Sequence, residues 1–174
     1  MIDHLFFQSE QADFSLIKGD CLTLIPSIEK ELDMVFADPP YFLSNDGLTV
    51  KNGKVQSVNK GKCDKLISDA DATTFTYEWL AEKRKKMADN ATIWVSGTHH
   101  SIFTLGRILP ELGFKILNVI TWEKTNPPPN FSCRFFTHST EFIIWARKHP
   151  KVPHHYDYDM MKRLNADKQM KDVW

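Results

Sequence analysis

The chain has 174 residues, 42% of them hydrophobic and 25% charged, which is the length and composition of one globular domain with a hydrophobic core. Its apolar runs are too short to span a bilayer, and no secretory signal is visible. Its three cysteines are widely spaced and form neither a disulfide framework nor a zinc motif. A cytoplasmic protein is therefore expected. The net charge is zero, with two basic and nine acidic side chains in residues 1–50 and a basic remainder, which permits a phosphate-binding surface but makes attraction of the whole chain to nucleic acid weak.

The first half of the sequence predicts two strands separated by a helix and followed by a long loop. Residues 14–20 (FSLIKGD) are typical of a short strand that ends in a Gly-Asp turn, and residues 21–31 have a mostly helical rhythm. Residues 32–38 (LDMVFAD) form a compact apolar run of the kind found in buried parallel strands. Residues 43–74 are rich in Asn, Gly, Ser, Lys and Asp without periodicity, which predicts a long mobile loop.

The second half predicts a helix and three more strands. Residues 75–88 have helical spacing, and their basic cluster Lys83–Lys86 is better explained by a solvated helix face than by a nucleic-acid patch. The strands are expected at residues 91–97, which a helix follows, and at 115–124 and 139–148. Alternating strands and helices predict a doubly wound α/β sheet, and the last two strands, which no helix separates, predict an antiparallel edge pair on an otherwise parallel sheet. The core is expected to comprise residues 1–148, and residues 149–174 a polar C-terminal segment.

The sequence Asp38-Pro39-Pro40-Tyr41 follows an apolar strand at its carboxyl end, where open α/β sheets bind ligands. Pro40 has no backbone N–H and disfavours a helical conformation at Pro39, so the Pro39 carbonyl can point into a cleft beside the Asp38 carboxylate. Two acceptors held side by side suit a group with two donors, such as the exocyclic amine of a nucleobase. Tyr41 and Phe42 offer aromatic faces on which a flat ring can stack. The pattern therefore favours a pocket for an aminated aromatic base over a simple proline turn.

A rival interpretation of the same strand is the magnesium-binding strand of a nucleotide hydrolase. Such an enzyme also needs a G-x-x-x-x-G-K-[ST] loop, which the sequence lacks. His138 is expected to make a structural hydrogen bond, and four other histidines without metal-ligand spacing are expected to be solvated, namely His99, His100, His154 and His155. We therefore predict no metal site.

Several motifs taken together resemble a known family. The tetrapeptide D-P-P-Y, TIWVSG at 92–97, ITWEKTNPPPN at 120–130 and THSTEFIIWARK at 137–148 are similar to the beta group of S-adenosylmethionine-dependent DNA amino-methyltransferases. Within that group, residues 14–174 most resemble the adenine-N6 methylases of DpnII-type restriction-modification systems, which act on GATC. D-P-P-Y alone is shared with N4-cytosine and some RNA adenine methylases, so methylation of N4-cytosine or of an RNA amine stays an alternative.

The resemblance implies a Rossmann-like methyltransferase sheet, S-adenosylmethionine as the methyl donor without a metal, and DNA as the partner. A base would be flipped out of the helix, with its N6 amine held by Asp38 and the Pro39 carbonyl and its ring stacked on Tyr41. Asp20 matches the family's acidic cofactor contact, although a turn or N-cap role would also explain it. The implied catalytic residues are Asp38, Pro39, Pro40 and Tyr41, and the implied cofactor contacts are Asp20, Cys21 and Asp38.

The resemblance also implies residues that contact DNA. They are Phe42, Asn45, Lys60 and Lys62 in or beside the predicted loop, and Asn126, Asn130 and Arg134 in the segment 125–138. Amide and basic side chains of this kind suit phosphates and base edges. Relatives carry a Trp-Asp pair where this chain has Cys63-Asp64, which removes one aromatic contact.

Two family motifs have no counterpart in the sequence. The F-x-G-x-G cofactor loop and the H-P-T-Q-K-P stretch would follow residue 174, and none of the seven glycines belongs to a G-x-G. The sheet is therefore expected to be incomplete, with an exposed hydrophobic edge. The chain is expected to be the N-terminal part of a methylase that needs a C-terminal half or a second copy, and to transfer little methyl alone. An inactive nucleic-acid-binding fragment is a further alternative.

Overall fold

The structure, a computed structural model, describes residues 5–11, 13–43, 48–51, 54–57, 64–65, 67–130 and 132–174. Its elements in chain order are β1 (Leu5–Gln8), β2 (Ser15–Ile17), α1 (Cys21–Leu24), a 3₁₀ turn (Ile25–Ser27), β3 (Leu32–Ala37), β4 (Leu48–Lys51), β5 (Lys54–Ser57), α2 (Asp69–Lys86), β6 (Met87–Gly97), α3 (Ile102–Glu111), β7 (Lys115–Glu123), β8 (Thr140–Arg147) and α4 (Tyr158–Leu164).

The main sheet has four strands in the order β3–β6–β8–β7. β3 pairs with β6 in parallel, whereas β8 is antiparallel to both of its neighbours, so β3, β6 and β7 point the same way. The predicted α/β class and the antiparallel pairing of the last two strands are confirmed. The strand order adds a detail that the sequence did not predict, since β8 lies inside the sheet and β7 at its edge.

One face of this sheet forms the hydrophobic core with α2 and α3. Along β6, Ala91, Ile93 and Val95 are buried at every second position, as the two-residue period of a strand requires. Leu80 from α2 and Ile108 from α3 are fully buried in the same cluster. Because the core fixes the two helices against β6, it also fixes the positions of their N-terminal turns near the ends of the parallel strands.

The opposite face of the sheet is aromatic. Trp94 of β6 is paired with Trp145 of β8, and their rings stack with centroids 4.8 Å apart. Trp174 stacks on Trp94 with centroids 6.3 Å apart. The C-terminal residues reach this position because they pair in parallel with the outer edge of β7, where the Trp174 N–H donates to the Thr121 carbonyl at 2.9 Å.

Helix α2 has the end residues that a stable helix requires. The Ser68 hydroxyl caps its first turn by accepting from the Asp71 N–H at 3.1 Å, and acidic residues precede a basic last turn, as the helix dipole favours. The basic cluster Lys83–Lys86 is used within the fold, since Lys83 lies over the Trp79 ring and Lys86 donates to the Ile28 carbonyl at 2.9 Å. Lys83 and Lys86 are therefore half-buried against the fold, and the predicted solvated helix face is only partly correct.

Several predicted boundaries are wrong. The helix predicted over 21–31 consists of one short α-helical turn and a 3₁₀ turn, because Pro26 lies inside it. The loop predicted over 43–74 contains the antiparallel hairpin β4–β5 and the first residues of α2. β6 begins four residues before the predicted strand, directly after α2. An N-terminal hairpin of β1 and β2 was not predicted.

Candidate functional site

The candidate site lies where β3 and β6 end side by side. Their parallel register pairs Ala37 with Val95, which places Ser96 next to Asp38. The Ser96 hydroxyl lies 2.5 Å from Asp38 Oδ1 and 3.3 Å from the Ala37 carbonyl oxygen. Ser96 was not predicted as a site residue, although its position at the end of the neighbouring strand in WVSG was a signal for it. The carboxyl ends of two parallel strands therefore supply the first polar contact of the site.

The Asp38 carboxylate is exposed and keeps its hydrogen-bonding capacity. Oδ1 accepts from both the Ser96 and the Tyr41 hydroxyls, the latter at 3.0 Å. Oδ2 accepts no hydrogen bond, and no lysine or arginine pairs with the carboxylate, within the part of the chain that the structure describes. Two hydroxyls thus fix the orientation of Asp38, and its second oxygen is left as an acceptor for a ligand.

The Pro39 carbonyl, which follows Asp38 in the chain, is a second acceptor at this strand end. It accepts no hydrogen bond from any described residue, as expected if Pro40 prevents the chain from entering a helix here. A cavity of about 370 Å³, within the range of small-molecule sites, is lined by residues 39–43, by the first turns of α2 and by the start of α3. Asp38 does not line this cavity, but Tyr41 does, and the Tyr41 hydroxyl donates to Asp38.

Asp64 holds the turn after the two prolines, which the sequence did not predict. Its carboxylate is 6% exposed, and Oδ1 accepts from the backbone N–H groups of Tyr41 and Phe42 at 2.8 and 2.9 Å. Successive N–H groups that converge on one anion form a nest, for which one residue must be left-handed. Phe42 is that residue, with φ of 54°. The acidic residue of the Cys63-Asp64 pair therefore shapes the turn that carries Tyr41.

The predicted DNA contact Phe42 packs within the protein. Its ring lies edge-on to Phe75 of α2, with centroids 5.6 Å apart, and it lines the cavity. The other predicted contacts of this region, Asn45, Lys60 and Lys62, lie outside the described residues.

The pKa of the Tyr41 hydroxyl is raised to about 12, chiefly by burial; the Ser96 hydrogen bond lowers it and the nearby Asp38 carboxylate raises it. A tyrosine whose folded pKa exceeds its unfolded value of about 10 stabilises the protein below pH 10 and loses that contribution as the pH rises toward 12.

We expect the free energy of unfolding to fall more steeply over this range in the wild type than in Tyr41→Phe, measured by urea unfolding. Tyr77→Phe, which removes an exposed hydroxyl from α2, is the control, and equal slopes in all three proteins would contradict this expectation.

The predicted cofactor contacts Asp20 and Cys21 begin α1. Asp20 Oδ1 caps the helix by accepting from the Leu22 N–H at 2.9 Å, as the alternative explanation required, and Oδ2 accepts no hydrogen bond from the described residues. Cys21 is half-buried against the hydrophobic core. The capping role and an acceptor role of Asp20 are compatible, because they use different oxygens.

The segment between β7 and β8 contains the three remaining predicted DNA contacts. Asn130 is engaged within its own loop, where its amide nitrogen donates to the Phe135 carbonyl at 2.6 Å and its oxygen accepts from the Ser132 N–H at 3.0 Å. Asn126 and Arg134 are exposed, and their side chains make no hydrogen bond or ion pair among the described residues. Asn130 thus shapes the loop, and Asn126 and Arg134 are available to a ligand.

Three histidines that were expected to act separately lie together. The His99 ring stacks on His138 with centroids 3.9 Å apart, and it contacts the His100 ring at a tilt of 41° with centroids 3.8 Å apart. His100 is exposed, as expected, whereas His99 is half-buried. His138 makes no structural side-chain hydrogen bond with the described residues. His154 packs on Trp145 instead, with centroids 5.2 Å apart.

The described residues contain neither a metal-binding cluster nor a membrane-spanning helix. No group of three or more His, Cys, Asp or Glu side chains is arranged to hold a metal ion within the ranges given above. Likewise, no described helix is long and apolar enough to cross a bilayer.

Comparison with known proteins identifies a family and longer relatives. A family model described as DNA methylase matches residues 32–174. The chain is 58% identical to the type II methyltransferase M2.MboI of Moraxella bovis, over 97% of this chain and 62% of the relative. It is 50% identical to M2.DpnII of Streptococcus pneumoniae, over 91% of this chain and 60% of the relative. The chain therefore spans about three fifths of the length of these curated relatives.

Solved structures with low sequence identity share the fold. The PvuII DNA methyltransferase, described as cytosine-N4-specific, has a TM-score of 0.66 at 15% identity, over 92% of this chain and 56% of that one. The M1.HpyAVI complex with SAM has a TM-score of 0.53 at 21% identity, over 80% of this chain and 58% of that one. Both likenesses support the observed sheet.

Proposed function

The chain belongs to the DNA methylase family, and we propose that it transfers a methyl group from S-adenosylmethionine to the N6 amine of adenine in DNA. The observation that carries this proposal is the pair of acceptors at the end of β3. Asp38 Oδ2 and the Pro39 carbonyl accept no hydrogen bond from described residues, and an exocyclic amine has two hydrogens to donate. The names of the 50–58% identical relatives, which are type II methyltransferases, support the same activity.

Residues of the chain fit part of S-adenosylmethionine. The exposed Asp20 carboxylate has one oxygen that no described residue uses, and it can accept from hydroxyl or amino groups of an adenosine. Asp20 and Cys21 would hold that part, with Asp38 at the methyl end. The sequence contains no G-x-G loop for the methionine part, so the site that these residues form is only half of the one required.

When bound, S-adenosylmethionine supplies a methyl group on a positively charged sulfur. Asp38 and Pro39 would hold the amine and leave its nitrogen lone pair available. The cofactor would supply the methyl group by a displacement in which the nitrogen gains the methyl carbon and the electron pair of the broken carbon–sulfur bond stays on sulfur. One amine proton then leaves to Asp38 or to water. Positioning contributes most of the acceleration, and Asp38 stabilises the positive charge that develops on the nitrogen.

Base flipping would bring the amine to these acceptors, because the amine of a stacked and paired adenine is not accessible to them. Tyr41 lines the cavity, and its hydroxyl donates to Asp38, which lies outside the cavity lining. A base that stacks on Tyr41 would therefore have its edge near the acceptor pair. Asn126 and Arg134 are exposed and would contact the DNA, whereas Asn130 would keep their loop in shape.

The recognition sequence and the biological setting follow from similarity. We propose GATC as the site and a restriction-modification system as the context, on the resemblance to DpnII-type adenine methylases and the identity to M2.MboI and M2.DpnII. An enzyme of this kind would act in the cytoplasm, where its DNA substrate lies.

A C-terminal half would complete the enzyme. The outer edge of β3 has no partner strand among the described residues, and Met34 and Phe36 on its outer face are 59% and 61% exposed. An unpaired edge with exposed apolar side chains favours further pairing. The segment that the longer relatives carry beyond the matched region would supply strands that pair with this edge, and it would supply the glycine loop. We call the chain supplied with that segment the complemented enzyme.

The test is methylation of DNA by the complemented enzyme, with the modified nucleosides identified by mass spectrometry. We expect N6-methyladenine in a GATC duplex or single strand, and little product from the 174-residue chain alone. N4-methylcytosine, or product only on RNA, would favour the alternative amine substrates, since the acceptor pair recognises an amine in general. DNA binding without methylation or cofactor binding, even in the complemented enzyme, would contradict the proposal and indicate an inactive binding fragment.

A further inference from the structure

Four aromatic rings form a continuous cluster beside the candidate site. His99 stacks on His138, His100 contacts His99 at a tilt of 41°, and the Phe135 ring contacts His138 at a tilt of 41° with centroids 5.4 Å apart. The planes of His99 and His138 differ by only 11°. The antiparallel pairing of β6 and β8 brings the cluster together, because Gly97 at the end of β6 lies opposite Phe142 near the start of β8.

The three histidines do not hold the fold together. His100 and His138 are exposed, and no imidazole nitrogen of the three makes a hydrogen bond or an ion pair with a described residue. The stacked rings of His99 and His138 direct their nitrogens sideways, and no metal-binding arrangement occurs among the described residues. The cluster therefore presents several hydrogen-bond donors and acceptors to a ligand.

The environment of the cluster opposes the accumulation of positive charge. Partial burial lowers the pKa of His99, and the neighbouring His100 and His138 lower it further when they are protonated. Among the described residues, His100 and His138 are the charged groups that affect the pKa of His99. His100 follows His99 in the chain, and His138 lies in the segment before β8. An anion bound to the cluster would relieve this repulsion and would favour protonation. Arg134, exposed in the same segment as His138, adds a permanent positive charge.

The position of the cluster indicates which anion it would meet. His100 lines the same cavity as Pro39, Pro40 and Tyr41, so a nucleotide that enters this cavity carries its phosphates past the cluster. We propose that His99, His100 and His138 bind a backbone phosphate of the strand that carries the flipped base, and that they take up a proton when they do so. This inference rests on the proposed function, because it requires DNA at the cavity.

The expected consequence is DNA affinity that depends on pH. Each proton taken up on binding changes the dissociation constant by about tenfold per pH unit in the range where the cluster titrates. Binding favours the protonated form, so affinity should rise as the pH falls from about 8 to about 6. A protonated imidazole on a phosphate also displaces one counterion, so the salt dependence of binding should be steeper at the lower pH.

The experiment measures binding of a GATC oligonucleotide to the 174-residue chain by fluorescence anisotropy at about pH 6 and about pH 8, over a range of salt concentrations. We expect His99→Gln/His100→Gln/His138→Gln to lose about tenfold in affinity at the lower pH, to change little at the higher pH, and to reduce the salt slope by about one at the lower pH alone. His155→Gln removes an exposed histidine elsewhere and should behave as wild type. Arg134→Gln should weaken binding equally at both pH values, because the guanidinium stays charged.

The outcomes separate this inference from the proposed function. Wild-type binding with the same pH dependence and salt slope in the triple variant would overturn the phosphate site and leave the proposed function intact. Proton uptake with inorganic phosphate but not with the oligonucleotide would also overturn it, since the site would then bind free anions only. No DNA binding by the wild-type chain at either pH would overturn the phosphate site, whereas the proposed function is tested separately by methylation with the complemented enzyme. Circular dichroism of the triple variant checks that its fold is retained.

Discussion

Replacing Asp38 with asparagine is expected to reduce the rate of methyl transfer by the complemented enzyme by about 10²–10³-fold. The amide keeps one acceptor oxygen, but its NH₂ group replaces the other, so either the hydroxyls of Tyr41 and Ser96 or the amine of the substrate loses its acceptor. It also lacks the negative charge that stabilises the developing cation. Initial rates with labelled S-adenosylmethionine measure this effect.

Asp33→Asn is the matched control for this prediction. It removes an exposed carboxylate from the same strand, β3, five positions before Asp38, and should leave the rate unchanged. DNA affinity should be the same in both variants within a few-fold, because Asp38 acts on the flipped base rather than on the phosphates. A rate for Asp38→Asn within tenfold of the wild type would show that the carboxylate is not the group that holds the amine.

Replacing Asp64 with alanine is expected to lower the free energy of unfolding by about 3 kcal/mol, because hydrogen bonds to a charged group contribute about 1.5–3 kcal/mol each. The carboxylate accepts from two backbone N–H groups and is almost fully buried. Its removal leaves both donors without this acceptor and releases the left-handed conformation of Phe42. Urea unfolding monitored by circular dichroism measures the change.

Asp64→Asn separates hydrogen bonding from shape. The amide fills the same space and keeps one oxygen that can accept from the Tyr41 and Phe42 N–H groups, so it should lose less stability than alanine. Methyl transfer by the complemented enzyme should follow the same order, since the turn also carries Tyr41. Unfolding midpoints that are equal in the wild type and Asp64→Ala would contradict a structural role for this carboxylate.

The strands of the main sheet could be predicted because each contains an apolar run that needs burial. β6 was predicted too short because its first residues, which continue directly from α2, include Asp89 and Asn90, and polar residues of this kind do not indicate a strand. The hairpin β4–β5 was missed although the sequence offers Asn52-Gly53 between the two strands, a typical two-residue hairpin sequence. The polar composition of that stretch favours a loop, whereas its Asn-Gly pair favours a hairpin turn.

The site could be predicted only in part, for a physical reason. The acceptor pair depends on consecutive residues, so Asp38 and Pro39 could be identified from local sequence. Ser96, Asp64 and the histidine cluster depend on which strands and loops become neighbours. The histidines meet because β8 pairs with β6, and the sequence predicted only that β8 pairs with β7. Whether the predicted cofactor and DNA contacts act as proposed depends on the experiments described above.

The claim on which the rest depends is that Asp38 and the Pro39 carbonyl together hold the amino group of a nucleobase. A crystal structure of the complemented enzyme, bound to a GATC oligonucleotide and a non-reactive analogue of S-adenosylmethionine, tests it directly. We expect the adenine N6 atom to lie about 2.7–3.2 Å from both an Asp38 carboxylate oxygen and the Pro39 carbonyl oxygen. A flipped adenine whose amine contacts neither oxygen would contradict it.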